Sequence, residues 1–271
     1  MSLRKIVQNL IKTVDPLATL LDVAHVMQHH KIGSVFVKDR NQWAGIITET
    51  DLTRKAIANN LDFDTTTCFL MSSSLVEIDI EKSVNDANHL MHFNGVRHLA
   101  VSEKGEIVGV ISVRDLVRYS LENPDGPLAI MDEIFQPLTV LTHRDLYTAP
   151  DTTSVREVAK VMEARKIGSV VVTSCGEPVG IVTETDLVRK VIRYNIRPAS
   201  LPVGVIMNTP IIDIPISASL RDASRIMAKH RVRHLVVTHA GKMVGIISIR
   251  DLIGMFSIRD LPRFFAAEVP A

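Results

Sequence analysis

Hydrophobic and polar positions repeat in the same order four times along this chain. In the first copy, Leu20, Val23 and Met27 form one face of a helix, and an apolar strand at residues 32–37 follows. A second strand at residues 43–47 leads into another helix, and a short extended segment precedes the whole copy. Apolar residues three and four apart predict a helix, and short aliphatic runs between polar turns predict strands. The pattern therefore predicts an α/β (α+β) protein of four βαββα units.

Fixed offsets connect the four copies. A methionine ends the apolar helix face, and a Gly or Arg at the start of the first long strand follows six residues later. A glycine of the second long strand follows that Gly or Arg after twelve residues. The methionines are Met27, Met91, Met162 and Met227. The same spacing in every copy indicates one structural unit, with changes of length confined to the segments between units.

The most regular segment is the end of the second long strand, which reads Gly-h-h-Ser/Thr-x-x-Asp-Leu, where h is hydrophobic. Its acids are Asp51, Asp115, Asp186 and Asp251, spaced 64, 71 and 65 residues apart. Copies one and three share Thr-Glu-Thr-Asp, whereas copies two and four share Ser, a hydrophobic residue, Arg and Asp. The chain is therefore a pair of pairs with a period of about 135 residues, which is typical of duplicated small domains.

Proline and glycine mark the strongest break in the pattern, at residues 123–127. Such a density of both residues ends helices and favours a linker. We predict repeats one to four at 1–64, 65–122, 138–200 and 201–257, with a linker at 123–137. The tail at 258–271 echoes the fourth motif without its glycine strand, so we expect a short helix or arm there.

Composition narrows the class of protein. The net charge of +1 and the aromatic content of 4% argue against a surface for nucleic acid. Cys68 and Cys175 lie far apart and form no metal or redox motif, which favours a reducing compartment. The start does not read as a signal peptide, and no apolar run approaches the ~20 residues of a membrane span. We expect a cytoplasmic protein without membrane contact.

Two interpretations of the motif stay open from physical chemistry alone. Ser or Thr three residues before an acid, at a helix start, is a capping box worth about 1 kcal/mol. The same hydroxyl and carboxylate, beside unpaired helix N–H groups, can instead hold a phosphate and the two hydroxyls of a ribose. The first interpretation indicates a purely structural oligomerisation module, and the second indicates a nucleotide-binding protein.

The four motifs, the helices that end in methionine and the Ile-Gly-Ser-Val or Val-Arg-His-Leu strands resemble those of CBS domains, named after cystathionine β-synthase. The resemblance covers about residues 8–257, and the layout is similar to that of the gamma subunit of AMP-activated protein kinase. It implies two CBS pairs, each with two domains packed sheet to sheet about a pseudo-twofold axis. It also implies that adenine nucleotides or related adenosyl compounds bind in the clefts between paired domains.

The resemblance also implies a set of ligand-binding residues. The ribose-binding acid corresponds to Asp51, Asp115, Asp186 and Asp251. The hydroxyls near ribose and phosphate correspond to Thr48, Ser112, Thr183 and Ser248, with Thr50 and Thr185 as second candidates. A basic pair similar to one that contacts phosphate in the kinase subunit falls, in reversed order, on Arg97 and His98 and on Arg233 and His234, with Arg114 and Arg250 as further charges. Because the odd repeats, one and three, carry Ile-Gly-Ser instead, we expect the two clefts of each pair to be unequal.

Other chemistry has little support in the sequence. No Ser, Cys or Lys nucleophile stands in a catalytic setting and no glycine-rich phosphate loop is present, so we do not expect an enzyme. Two histidine pairs, His25 with His29 and His89 with His92, have spacings compatible with a metal ion. Neither pair has a nearby Cys or acid that completes a set of ligands, so we expect no metal.

We therefore predict a regulatory protein that binds AMP, ADP or ATP, with S-adenosylmethionine or a cyclic dinucleotide as the next candidates. Ligand binding would shift the angle between domains, and the signal would pass to a separate effector protein that the sequence does not identify. We expect the two pairs to form a flat disc, either within one chain or as a homodimer. The alternatives are a nucleic-acid-binding module that uses basic helix faces and the structural module described above.

Overall fold

The computed structural model describes residues 2–122, 138 and 146–252, and it contains four three-stranded sheets there. The closing helix of repeat one starts as α2 (Glu49–Asp51) and continues as a π-helical stretch, Leu52–Ile57. The elements before it are β1 (Thr13–Val14), α1 (Leu20–His30), β2 (Ser34–Asp39) and β3 (Gln42–Thr48). β1 is parallel to β2, and β2 is antiparallel to β3.

The other repeats have the same elements in the same order. Repeat two contains β4 (Glu77–Asp79), α3 (Val84–Asn94), β5 (His98–Glu103), β6 (Glu106–Ser112) and α4 (Val113–Glu122). Repeat three contains β7 (Thr148–Pro150), α5 (Val155–Arg165), β8 (Ser169–Ser174), β9 (Glu177–Thr183) and α6 (Glu184–Lys190). Repeat four contains β10 (Asp213–Pro215), α7 (Leu220–His230), β11 (His234–His239), β12 (Lys242–Ser248) and helical residues 249–252. The strand pairing repeats in every sheet, which confirms the predicted α/β class of four βαββα units.

Local sequence fixes both ends of the first helix in each repeat, as α1 illustrates. Thr19 Oγ1 accepts a hydrogen bond from Asp22 N at 3.1 Å, and Asp22 Oδ2 accepts one from Thr19 N at 2.9 Å, which completes a capping box. At the other end Lys31 takes a left-handed conformation with φ 55°, which ends the helix. The residues after Lys31 form the turn, so β2 begins at Ser34, later than the pattern predicts.

Three segments, which we call crossing segments, pass over the motif glycines. Residues 2–10 cross repeat two, residues 66–72 cross repeat one, and residues 202–208 cross repeat three. Each contains a 3-10 turn and then makes an isolated antiparallel bridge with the second long strand. In repeat one, for example, Ile46 N donates to Ser72 O at 3.0 Å and Ser72 N donates to Ile46 O at 2.9 Å.

The crossing segments explain why the motif begins with glycine. A Cβ atom added at Gly45 would lie 2.5 Å from the carbonyl oxygen of Ser72, and one added at Gly109 would lie 2.9 Å from the carbonyl oxygen of Gln8. At Gly180 it would lie 3.0 Å from the carbonyl oxygen of Asn208. Only a residue without a side chain permits backbone to approach this closely.

Two compact units divide the molecule, and each contains alternate repeats. The odd unit spans residues 11–75 and the described part of 145–212, so it holds repeats one and three. Within it, α1 packs against α6, α5 packs against the π-helical stretch, and one hydrophobic core includes Met27, Ile57, Met162 and Leu187. The even unit holds residues 2–10 with the described parts of repeats two and four, and α4 packs against α7 there.

Two predictions fall outside the described residues, namely the linker at 123–137 and the tail at 258–271. Within residues 2–122, 138 and 146–252, the structure contains no helix with the length and apolar character that crossing a membrane requires.

Candidate functional site

The motif of repeat one forms a hydrogen-bonded corner where β3 becomes α2. Asp51 Oδ2 accepts from Thr48 N at 3.0 Å and from Thr48 Oγ1 at 2.7 Å. Asp51 N donates back to Thr48 Oγ1 at 3.3 Å. The hydroxyl and the acid of the motif therefore form a capping box, as the first interpretation of the sequence predicts.

The same two bonds to a single carboxylate oxygen recur at the other three corners. Asp115 Oδ2 accepts from Ser112 N at 2.9 Å and from Ser112 Oγ at 2.5 Å. The corresponding distances are 2.9 and 2.6 Å for Thr183 and Asp186, and 2.6 and 2.7 Å for Ser248 and Asp251. One oxygen of each acid thus accepts the hydrogen bonds that cap the start of the helix.

The second carboxylate oxygen has different partners in different repeats. Asp51 Oδ1 pairs with Lys55 Nζ at 2.7 Å, and Asp186 Oδ1 pairs with Lys190 Nζ at 3.2 Å. Asp115 Oδ1 accepts from Gln8 Nε2 at 2.6 Å and from Arg118 Nη2 at 3.2 Å. Asp115 and Asp186 are buried, with exposed fractions of 4% and 7%. Gln8, Lys55 and Lys190 did not enter the predicted site, because their role depends on the crossing segments.

Strand register decides which member of each basic pair stands beside a motif hydroxyl. His98 lies directly opposite Ser112 in the antiparallel pairing of β5 with β6, and His234 lies opposite Ser248. Residues directly opposite in an antiparallel pair project from the same face of a sheet. The odd repeats place Ser34 and Ser169 at the corresponding positions, opposite the motif threonines.

Two arginines of the predicted site precede strands, and the other two lie next to the motif acids. Arg97 immediately precedes β5, and its carbonyl oxygen accepts from Val113 N at 3.0 Å. Arg233 has the same position before β11, with its carbonyl oxygen 2.8 Å from Ile249 N. Arg114 and Arg250 are exposed, each one residue before a motif acid.

Thr50 and Thr185 contact a pair of buried glutamates within the odd unit. Thr50 Oγ1 donates to Glu184 Oε2 at 3.0 Å, and Thr185 Oγ1 donates to Glu49 Oε2 at 2.8 Å. Arg54 Nη2 lies 3.1 Å from Glu184 Oε1, and Arg189 Nη2 lies 3.8 Å from Glu49 Oε1. We call these six residues the glutamate cluster. Sequence reasoning missed it, although the shared Thr-Glu-Thr-Asp of repeats one and three was its signal.

The two units differ at the positions of these glutamates. Val113 and Ile249 replace Glu49 and Glu184 in the even repeats, and both are buried. The odd unit therefore joins its repeats through charged and hydroxyl groups where the even repeats carry aliphatic side chains. Among the residues that the structure describes, no group of three or more His, Cys, Asp or Glu is arranged to hold a metal ion.

Comparison with known proteins adds a family assignment. The CBS domain family matches the chain four times, at residues 4–58, 68–122, 139–193 and 203–258. The CBS domain-containing protein YhcV of Bacillus subtilis is 26% identical over 137 residues, which are 51% of this chain and 92% of YhcV. The uncharacterised protein MJ1404 of Methanocaldococcus jannaschii is 29% identical over 165 residues, 56% of this chain and only 38% of MJ1404.

Solved structures support the fold. The crystal structure of MJ1225 from Methanocaldococcus jannaschii, described as a candidate archaeal homologue of g-AMPK, aligns with a TM-score of 0.79 at 20% identity, over 94% of this chain and all of MJ1225. A conserved protein from Pyrococcus horikoshii aligns with a TM-score of 0.62 at 20% identity, over 94% of this chain and all of that protein. With four family matches and four sheets of the same topology, the chain belongs to the CBS domain family.

Proposed function

We propose that this chain is a regulatory protein that binds an adenine nucleotide, AMP, ADP or ATP, at the motif corners. Binding changes its conformation, and the change is transmitted to a separate partner protein. The observation that carries the proposal is that the two oxygens of a motif carboxylate have different partners. In three corners one carboxylate oxygen caps the helix and the other accepts from a group outside the cap.

This difference in partners makes capping and ligand binding compatible. A carboxylate is an acceptor only, and a ribose offers two O–H donors. At Asp115 a ribose hydroxyl can take the place of the Gln8 amide on Oδ1 while Ser112 keeps its bonds to Oδ2. The acid then holds a sugar at little cost to the helix start.

The even repeats also supply positive charge for a phosphate. His98 and His234 stand directly across from the motif serines, and Arg114 and Arg250 are exposed next to the acids. A phosphate near these groups accepts charge-assisted hydrogen bonds, which are stronger than neutral ones. The odd corners offer the same hydroxyl and acid, with Ser34 and Ser169 in place of the histidines.

Calorimetric titration with AMP, ADP and ATP tests the proposal. We expect the Asp115→Ala/Asp251→Ala variant to bind about tenfold or more weakly than the wild type, because a hydrogen bond to a charged group contributes ~1.5–3 kcal/mol. Titration with S-adenosylmethionine and with a cyclic dinucleotide distinguishes the other adenosyl ligands.

The matched control is Asp86→Ala/Asp222→Ala. These acids form the same capping boxes, with Ser83 and Ser219, at the starts of α3 and α7 in the same two repeats. The control should lose stability without losing affinity. If the wild type gave neither heat nor a thermal shift with any of these ligands, the corners would be caps alone, and the capping boxes would favour the structural module.

A further inference from the structure

The fourth residue after each motif acid separates the odd from the even repeats. It is Lys55 in repeat one and Lys190 in repeat three, whereas repeats two and four have Tyr119 and Met255. The fourth residue along a helix lies about one turn later, and in repeats one and three the lysine there reaches the acid.

Lys190 is held by three acceptors. Its Nζ atom donates to Ile206 O at 2.7 Å and to Asn208 Oδ1 at 2.8 Å, and it lies 3.2 Å from Asp186 Oδ1. An ammonium group has three N–H donors, so these contacts occupy all of them. Ile206 and Asn208 belong to the crossing segment of repeat three, and the lysine therefore joins that segment to the closing helix.

Lys55 repeats this arrangement in repeat one. Its Nζ atom lies 2.7 Å from Asp51 Oδ1 and donates to Leu70 O at 2.8 Å. Leu70 ends the 3-10 turn of its crossing segment, as Ile206 does in repeat three. We call each lysine with its acid and its crossing-segment acceptors a lysine clamp.

Asp115 has partners that are easier to replace. The amide of Gln8 is neutral, and Gln8 is exposed. The backbone of Gln8 is fixed by two bonds of 3.0 Å with Val110, so its side chain can rotate away without loss of the crossing segment. The other partner, Arg118, has a side chain that is 58% exposed. Both groups can turn to water when a ligand arrives.

Lys190 cannot move away from Asp186 in the same manner, because the crossing segment holds it. If a ribose hydroxyl displaced it from Asp186, the ammonium would keep two acceptors on the crossing segment and stay beside the ligand. The hydroxyl would then meet a carboxylate whose charge the lysine already balances. Lys55, displaced from Asp51, would likewise keep its bond to Leu70 O on the crossing segment and stay beside the ligand.

We propose that Lys55 and Lys190 determine which repeats bind ligand. In the lysine clamps, Asp51 and Asp186 hold the crossing segments and do not bind ligand. The nucleotide binds in the even repeats, at Asp115 and Asp251. This inference rests on the proposed function, and it narrows four similar corners to two ligand sites per chain.

The test uses AMP and ATP as probes and the full chain throughout. In isothermal titration we expect the wild type to bind no more than two equivalents per chain. The Asp115→Ala/Asp251→Ala variant should bind about tenfold or more weakly than the wild type. Adding Lys55→Met and Lys190→Met to that variant should restore binding, because the odd acids are then unpaired. Lys55→Gln with Lys190→Gln replaces the methionine pair if circular dichroism shows that the latter does not fold.

The outcomes separate this inference from the function on which it rests. Failure of the wild type to bind either nucleotide rejects the proposed function and the inference together. A wild type that binds more than two equivalents of nucleotide per chain overturns the inference alone, because binding at the odd corners is compatible with the proposed function. Failure of the lysine substitutions to restore binding in a folded variant also overturns it, since the lysines would then not be what excludes the ligand.

Discussion

At the scale of the residue, Glu49 and Glu184 have the least exposed acidic side chains in the part of the chain that the structure describes. The exposed fraction of both is 1%. Each accepts from a threonine hydroxyl and faces an arginine of the other odd repeat. A buried charge is tolerated when it is both paired and hydrogen-bonded. Both conditions are met for Glu49 and for Glu184, because each has one threonine and one arginine partner in the glutamate cluster.

We expect Glu184→Ala to lower the free energy of unfolding by about 3 kcal/mol or more, because removal of one partner leaves the other charge buried and unbalanced. The guanidinium of Arg54, whose side chain is 18% exposed, is the group left behind. Urea denaturation followed by circular dichroism measures the change. The control is Glu157→Ala, which breaks an exposed ion pair with Lys160 and should change the midpoint little. Equal effects of the two substitutions would contradict the structural role of the glutamate cluster.

At the scale of the element, the crossing segments and the helix caps position the motif acids and their partners. A crossing segment lies on the second long strand of its repeat and brings Gln8, Leu70 or Asn208 close to a motif acid or its lysine. The motif glycine allows this approach, and the motif Ser or Thr starts the helix that carries the acid. The eight-residue motif therefore encodes a docking place for backbone as well as a cap.

We expect Gly109→Ala to destabilise the even unit, because the new Cβ would meet the Val7 Cγ2 atom and lie 2.9 Å from Gln8 O. Val7→Ala should partly restore the stability of Gly109→Ala, since it removes the closer of the two atoms. In Gly45→Ala the closest atom is the backbone oxygen of Ser72, at 2.5 Å, so no side-chain truncation offers the same relief. Thermal melting of the single and double variants measures both effects. Additive losses in the Gly109→Ala/Val7→Ala double variant would show that the contact is not the cause.

The caps of the first helices predict an acid-dependent loss of stability. Hydrogen bonds from Thr19 lower the pKa of Asp22, and those from Ser83 and Ser219 lower the pKa of Asp86 and of Asp222. A carboxyl whose pKa is lower when folded adds stability above its unfolded pKa of ~3.9, and this stability is lost as the pH falls through the folded pKa. We expect the wild type to weaken below about pH 4 and Asp86→Asn/Asp222→Asn to weaken less steeply over the same range. Unfolding free energies between pH 5 and pH 2.5 test this, and parallel curves for the two proteins would refute it.

At the scale of the whole molecule, alternate repeats share structure. One hydrophobic core in the odd unit draws Leu20, Met27 and Ile57 from repeat one and Val155, Met162 and Leu187 from repeat three. The glutamate cluster joins the same two repeats. Repeats one and three should therefore unfold as one cooperative unit, although a complete repeat separates them in the sequence.

We expect Ile57→Ala to speed hydrogen exchange in α5 of repeat three, because Ile57 is fully buried in the shared core and the π-helical stretch packs against α5. Truncation of a buried Ile costs about 2–5 kcal/mol. Hydrogen exchange read by mass spectrometry locates the effect. Val205→Ala, at a side chain that is 70% exposed, is the control and should leave exchange in α5 unchanged. Faster exchange confined to repeat one would contradict a shared core.

The sequence by itself determined the parts that depend on neighbouring residues. Apolar periodicity gave the helices and strands, fixed offsets gave four copies of one unit, and the Ser/Thr-x-x-Asp spacing predicted the caps that all four corners show. These features are local, because strand alternation, helix periodicity and capping act over a few residues. The α/β class followed from their repetition, and the family followed from the resemblance of the motifs to those of CBS domains.

Only the tertiary structure decided what meets across long separations. It brought Gln8 to Asp115, Asn208 to Lys190 and Thr50 to Glu184, contacts between residues 107, 18 and 134 positions apart. It also grouped repeat one with repeat three, and it placed His98 rather than Arg97 opposite Ser112 through strand register. Local pattern cannot specify such partners, because one motif has the same short-range preferences in all four copies and its surroundings arise only when distant segments pack together.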